Sequence, residues 1–162
     1  MAEGKCLLHP TLTPNMVEEE NYFFRLSKYR TELLAYLRKP ESIITEWRRE
    51  EALDFVENAM EDFSISRSTA RLAWGIPIPE DDTKVMYVWF GYFVNYISTL
   101  GWPDKKDKFE TFWVKGETVQ TAGKDMVKFQ SVMWQGMLMS AGLPVTDRII
   151  YHGFVTGEGG IR

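Results

Sequence analysis

An alternation of strand-like and helix-like segments in the second half of the chain constrains the fold more than any other feature of the sequence. Three segments are predicted to be strands, the first because its residues are mostly β-branched or aromatic: 84–90 (KVMYVWF), 117–123 (ETVQTAG) and 147–155 (DRIIYHGFV). Helical spacing joins Phe93 to Leu100 between the first two, and a helix over 122–144, ended by Gly142 and Pro144, lies between the last two. This order predicts an α/β fold with a parallel sheet and crossover helices.

Two amphipathic helices are predicted to precede the sheet. Apolar residues recur every three or four positions from Tyr22 to Leu37, and Pro40 ends this helix. A second apolar stripe runs from Ile43 to Met60, opposite the charged sequence EWRREE. Because acids and bases are interleaved there, this face is predicted to be solvated rather than to bind nucleic acid.

Composition narrows the possible classes of protein. The chain has 162 residues, 44% hydrophobic and 26% charged, which is typical of one folded domain. Its net charge of -4 argues against a general polyanion-binding surface. No apolar run reaches the roughly 18–20 residues needed to span a bilayer, and the first residues lack the features of a signal peptide, so no membrane association is predicted. Cys6 is the only cysteine, which fits a cytoplasmic location.

A small charged turn follows the second predicted strand. Gly123, Lys124 and Asp125 stand where ligands bind in open parallel sheets, beyond the carboxyl ends of the strands. Gly123 allows a ligand to approach the backbone, and the Asp125 carboxylate can accept both hydroxyls of a ribose. The alternative is that Asp125 only caps the helix.

Polar and aromatic residues share one face of the helix that begins there. Gln130 and Trp134 are four residues apart, Met126 lies one turn earlier, and Met137 is nearby. Trp89, near the end of the first predicted strand, faces the same space in this interpretation. A buried glutamine needs a hydrogen-bond partner, which a ligand can supply. The alternative is that this stripe is simply core.

Cys6 and His9 have the spacing of half a zinc knuckle. A structural zinc site has four protein ligands, and the only other histidine, His152, is far along the chain. The alternative is that the chain holds no metal.

Six segments together resemble the methionyl-tRNA synthetases, a family of class I aminoacyl-tRNA synthetases: EEENYFFRLSKYR, DFSISR, WGIPIP, YVWF…NYIS, GKDMVKFQSVMWQGML and YHGFVTGEGG. The resemblance implies the second half of a Rossmann-like parallel sheet preceded by connecting helices. It divides the chain into the remnant of a zinc-knuckle insertion (1–20), a helical connective segment (21–82) and the C-terminal half of the catalytic domain (83–162).

The resemblance also assigns roles to individual residues. The implied methionine-binding residues are Trp89, Tyr96, Met126, Gln130 and Trp134. The implied ATP- or adenylate-binding residues are Gly123, Asp125, His152, Gly153 and Arg67. Cys6 and His9 would be the second pair of zinc ligands. Gly91-Tyr92 stands where the family usually has Asp-Ala, which places a bulky ring beside the amino-acid pocket.

The implied activity is ATP-dependent attachment of methionine to tRNA(Met) through methionyl-adenylate, with Mg²⁺ accompanying ATP and Zn²⁺ only in the full-length protein. The two class I signatures, HIGH and KMSKS, are absent from the sequence. We therefore expect an internal fragment that is inactive alone. One alternative is a noncatalytic or split-gene fragment that complements a partner chain, and another is a different class I synthetase, such as the leucine or valine enzyme.

Overall fold

The computed structural model describes residue 11 and residues 18–157, which form short strands and helices. The strands are β1 (Phe23–Phe24), β2 (Phe63–Ser64), β3 (Ser66–Ser68), β4 (Pro77–Ile78), β5 (Asp81–Met86), β6 (Val119–Gly123) and β7 (Arg148–His152). The α-helices are α1 (Arg30–Leu37), α2 (Glu46–Asp54), α3 (Val88–Ser98), α4 (Lys106–Phe109) and α5 (Trp134–Ser140). Tighter 3₁₀ turns occupy Leu26–Tyr29 and Lys124–Met126, and wider π-helical turns occupy Phe55–Ala59, Glu110–Val114 and Val127–Met133.

The first predicted helix is wrong at its start. Residues Phe23–Phe24 form a strand that pairs antiparallel with β2, and the chain becomes helical only at Leu26. The backbone N–H of Tyr22 donates to Ser66 Oγ at 2.8 Å, and its carbonyl accepts the N–H of Ile65 at 2.9 Å. Pairing with a distant segment therefore overrides the local helical pattern.

The first predicted strand, 84–90, is wrong in two respects: its second half is helical, and its first half belongs to an antiparallel sheet. Strand β5 starts at Asp81, ends at Met86 and pairs antiparallel with both β3 and β4, outside the parallel sheet. The N–H of Tyr87 donates to Ile65 O at 2.7 Å, and helix α3 begins directly afterwards. The chain turns helical because Phe93 and Ile97, four residues apart, are buried on one face.

The parallel arrangement predicted for the last two strands is confirmed. Strands β6 and β7 pair in register from Val119 opposite Arg148 to Gly123 opposite His152. The other side of β7 carries a parallel bridge from Ile43 to Ile149. The second predicted helix is therefore wrong at its start, since its first apolar residue belongs to the sheet and α2 begins only at Glu46.

The helical segment between β6 and β7 lies between two apolar layers. It is helical from Lys124 to Ser140, within the predicted span of 122–144. One face packs through Val132 on a layer that includes Leu33 of α1, Val56 of the π-helical turn after α2 and Ile149 of β7. The opposite face packs through Trp134 on an aromatic layer that includes Phe93, Phe109 and Trp113.

Helix α4 and the π-helical turn after it were missed in the sequence. They bury Phe109 and Trp113, and the indole Nε1 of Trp113 donates to Pro144 O at 2.9 Å. The spacing of four between these two aromatic residues is the signal that identifies this helix. It closes the aromatic layer behind α3.

Candidate functional site

A cleft of about 490 Å³ opens where α3 faces the carboxyl end of the parallel sheet. Its walls come from α3, the end of β6, the helical turns that follow β6, and the end of β7. The lining residues are Val88, Trp89, Tyr92, Tyr96, Thr121, Ala122, Gly123, Met126, Gln130 and His152. Six predicted site residues therefore meet in one cleft: Trp89, Tyr96, Gly123, Met126, Gln130 and His152.

The base of the cleft is set by the register of the parallel strands. Gly123 and His152 are the last paired residues of β6 and β7, so they lie side by side. A Cβ atom at Gly123 would stand 2.8 Å from Asp125 Oδ1, so glycine at this position leaves room for that carboxylate. Gly123 is also the N-cap residue of the following turn, and no side chain caps it. Asp125 stands inside this turn and makes no capping hydrogen bond within the described part of the chain, so the alternative that Asp125 only caps the helix is not observed.

Gln130 brings an amide group to the cleft from the π-helical turn. The residue is only 1% exposed, and its Nε2 makes no hydrogen bond of normal geometry with any residue from 18 to 157. Burial raises the pKa of the neighbouring Tyr96 and Tyr92 adds to the rise, whereas the Gln130 amide lowers it. The cleft thus combines an amide donor and a neutral phenol.

Aromatic rings form the wall opposite the sheet. Trp89 stacks on Phe129 with ring centroids 4.8 Å apart and meets the edge of Tyr92 at 5.5 Å. Tyr92 in turn meets Tyr96 at 6.3 Å. Met126 faces these rings across the cleft, so a ligand with an apolar, polarisable group would contact aromatic faces and a thioether.

Trp134 lies one layer behind this wall rather than in it. Its ring is 1% exposed and contacts Tyr96 at 5.9 Å, Phe93 at 5.8 Å and Trp113 at 6.2 Å between centroids. It lines a separate apolar cavity on the far side of α3. Its effect on the cleft therefore passes through Tyr96 and Phe93.

The remaining predicted residues lie at the mouth of the cleft or away from it. Asp125 and Gly153 are exposed beside Gly123 and His152. Arg67 is on β3, outside the lining, where its guanidinium lies 4.0 Å from the Tyr87 ring and donates to Ser64 Oγ at 2.8 Å. The structure does not bring Arg67 into the same site.

Tyr92 is the clearest site residue that the sequence reasoning did not assign. It was noted only as a departure from a family pattern, yet its ring lines the cleft between Trp89 and Tyr96. The spacing of three and then four residues places all three rings on one helical face. Assigning 84–90 to a strand concealed this signal.

The zinc prediction on Cys6 and His9 falls outside the described residues. Within residues 18–157, no group of three or more His, Cys, Asp and Glu side chains is placed to hold a metal ion. Over the same residues, no helix has the length and apolar character that crossing a membrane requires.

A parallel strand pair, the helical turns at its carboxyl end and an aromatic cleft beside them are the features of a ligand site of the doubly wound α/β class. Comparison with known sequences identifies a family within this class of fold. The profile of the family described as tRNA synthetases class I (M) matches residues 1–161. The chain is 40% identical to the methionine–tRNA ligase of Thermosynechococcus vestitus, over 98% of this chain and 30% of that protein. It is 44% identical to the methionine–tRNA ligase of Brucella suis biovar 1, over 93% of this chain and 29% of that protein.

Comparison with solved structures identifies the same family. The structure of Mycobacterium tuberculosis methionyl-tRNA synthetase bound by methionyl-adenylate superposes with a TM-score of 0.80 at 39% identity, covering 93% of this chain and 31% of that one. The chain therefore belongs to the methionine-type class I tRNA synthetases, and the predicted Rossmann-like fold class is confirmed. It spans less than a third of the length of these relatives.

Proposed function

We propose that the cleft forms part of a joint site for methionine and adenylate in an enzyme that attaches methionine to tRNA(Met). The observation that carries this proposal is the meeting of an aromatic and thioether wall with the carboxyl end of a parallel strand pair in one cleft. The relatives' names, and the methionyl-adenylate in the M. tuberculosis structure, support it.

The methionine side chain would lie against Trp89, Tyr92, Tyr96 and Met126. Contacts between a thioether sulfur and aromatic rings are favourable, and the surrounding rings exclude water. The Gln130 amide and the Tyr96 hydroxyl supply the polar groups of this pocket. Trp134 would support Tyr96 from behind.

The adenosine would lie across the ends of β6 and β7. Gly123 and His152 would flank it, and Asp125 and Gly153 at the mouth would meet the ribose and the adenine edge. Arg67 would need to reach the site from β3, where it now holds Ser64. We propose no direct contact between Arg67 and adenylate in this conformation.

ATP, Mg²⁺ and tRNA(Met) belong to the same proposal for the whole enzyme, which would act in the cytoplasm. Magnesium accompanying ATP would be held mainly by phosphate oxygens. Zinc on Cys6 and His9 would need two more ligands.

Replacing Trp89 by leucine is expected to weaken binding of the sulfamate analogue of methionyl-adenylate by about ten- to a hundredfold. The reason is that a large aromatic contact surface is worth about 1.5–3 kcal/mol. Isothermal titration calorimetry with the purified 162-residue chain measures this change. The leucyl and valyl analogues, titrated in parallel, test the alternative of another class I synthetase, which tighter binding of either would favour.

Trp74→Leu is the matched control because Trp74 is 79% exposed and is not part of the cleft lining. Its affinity for the analogue should equal that of the parent chain. Equal losses of affinity in both variants would show that the analogue does not bind in the cleft.

A polypeptide of these 162 residues is expected not to form methionyl-adenylate on its own. Stabilising the phosphates needs cations, and no Lys or Arg from the described segments lines the cleft. Lys124, near its mouth, places its ammonium 4.6 Å from the Phe154 ring. Methionine-dependent exchange between ATP and pyrophosphate should therefore stay at the level of a no-protein blank, and exchange clearly above it would contradict this prediction.

The outer edge of β6 favours a second candidate, a fragment completed by another polypeptide. Among residues 18–157, β6 pairs only with β7, and Val119 is half exposed on it. A strand edge of this kind accepts another strand. Adding a polypeptide that carries the remaining part of the relatives' catalytic domain to the same exchange assay tests this, and restored exchange is the expected result.

A further inference from the structure

A network of buried side-chain amides lies behind the floor of the cleft. Gln135, on α5, donates from Nε2 to the backbone carbonyl of Gln130 at 3.0 Å and to Thr146 Oγ1 at 3.1 Å. Its Oε1 accepts the backbone N–H of Thr146 at 2.9 Å. The Thr146 hydroxyl then donates to Gln120 Oε1 at 2.7 Å. Both ends of the Gln135 amide are therefore bonded, which fixes its orientation.

The network joins β6, α5 and the connection that leads into β7. Gln120 belongs to β6, Gln135 to the helix after it, and Thr146 to the connection that enters β7. All three side chains are buried. Because buried hydrogen bonds are costly to break, the network holds these elements at fixed relative positions.

The bond to Gln130 has a more specific effect. Gln130 lies in the π-helical turn Val127–Met133, and such wide turns are rare and often accompany functional sites. The Gln135 side chain holds the backbone carbonyl of Gln130, and Gln130 is one of the residues that line the cleft. Fixing that carbonyl fixes the direction in which the Cα–Cβ bond of Gln130 leaves the backbone, and the burial of the side chain restricts its remaining torsions.

We propose that Gln135 is a positioning residue that keeps the Gln130 amide directed at the ligand, an inference that rests on the proposed function of the cleft. Gln135 touches no ligand itself. Because one of its bonds holds the Gln130 carbonyl, part of its contribution to affinity passes through Gln130, and the two residues must be coupled in ligand binding.

A double-mutant cycle tests this coupling with the sulfamate analogue of methionyl-adenylate. Gln135→Met keeps the length of the side chain and removes its bonds, so it is expected to weaken binding about two- to tenfold. In the Gln130→Leu background the same change should have a clearly smaller effect. Leu138→Met is the matched control on the same helix, and it should bind like the parent chain. Additive losses in the cycle would overturn the proposal.

A measurement without ligand tests the positioning role of Gln135 independently of the proposed function of the cleft. In the ¹H–¹⁵N spectrum, the side-chain amide of Gln130 should give one resolved pair of resonances in the parent chain and shifted or broadened resonances in Gln135→Met. Unchanged Gln130 resonances would overturn the positioning role, whereas failure of the parent chain to bind the analogue would overturn the proposed function alone. Thr146→Val, which keeps the bond from Gln135 to Gln130, should shift these resonances less. Gln135→Glu, whose carboxylate can accept the Thr146 N–H but has no N–H to donate to the Gln130 carbonyl, replaces Gln135→Met if that variant does not fold.

Discussion

Replacing Phe93 by alanine is expected to lower the free energy of unfolding by about 3–5 kcal/mol, the usual cost of truncating a fully buried aromatic residue. Phe93 is inaccessible to solvent and contacts three rings, with centroid distances of 6.1 Å to Trp89, 5.6 Å to Tyr92 and 5.8 Å to Trp134. It therefore joins the cleft wall to the layer behind it. Urea unfolding monitored by circular dichroism measures the loss.

Phe112→Ala is the matched control for this change. Phe112 is 59% exposed, and exposed truncations usually change stability by no more than about 0.5 kcal/mol. If Phe93→Ala cost no more than Phe112→Ala, the aromatic layer would not be a packed core. Phe93→Leu, which fills part of the space, should lie between the two and remains measurable if the alanine variant is unfolded.

Replacing Arg30 by methionine is expected to cost about 2–4 kcal/mol, because charged hydrogen bonds to otherwise unpaired carbonyls are among the stronger ones. The Arg30 guanidinium donates to the carbonyls of Val56, Glu57 and Met60 where the second helix ends. It satisfies the last carbonyls of that helix and places positive charge at the negative end of its dipole. Urea unfolding of the variant measures the loss.

Arg38→Met removes an arginine of the same helical region without removing side-chain bonds to helix carbonyls. Within residues 18–157, the Arg38 side chain makes a long, exposed ion pair with Glu57, at 3.4 Å with 65% of the arginine side chain exposed. Exposed pairs of this kind contribute about 0–1 kcal/mol. Comparable losses in the two variants would show that charge alone, rather than capping of carbonyls, explains the effect of Arg30.

The parts of the fold that local pattern decides were predictable from the sequence. Strands β6 and β7 and the helical segment between them follow from their apolar spacing and from Gly142 and Pro144. The errors at Phe23–Phe24 and at Ile43, and the antiparallel pairing of 84–86, share one cause. In each case the backbone pairs with a distant segment, which no local spacing reveals.

The candidate site was predictable residue by residue only where neighbours share an element. Met126 and Gln130 share a helical face, and Gly123 follows from its place at the end of a strand, whereas His152 was implied only by the family resemblance. The sequence does not predict which aromatic rings line the cleft and which lie behind its wall. Trp89 and Trp134 are chemically alike, and only tertiary packing places Trp89 in the wall and Trp134 behind it. The roles of these residues toward a ligand, and the division of the chain at 20 and 82, stay predictions.

The bridge from Ile43 to Ile149 gives the N-terminal helices a mechanical connection to the site. Ile44 N–H donates to Ile149 O at 3.1 Å, and Ile149 N–H donates to Ser42 O at 2.9 Å. The start of α2 is thus bonded to the strand that ends at His152. Any displacement of α2 is therefore transmitted through these hydrogen bonds to β7, and through β7 to His152 at the base of the cleft.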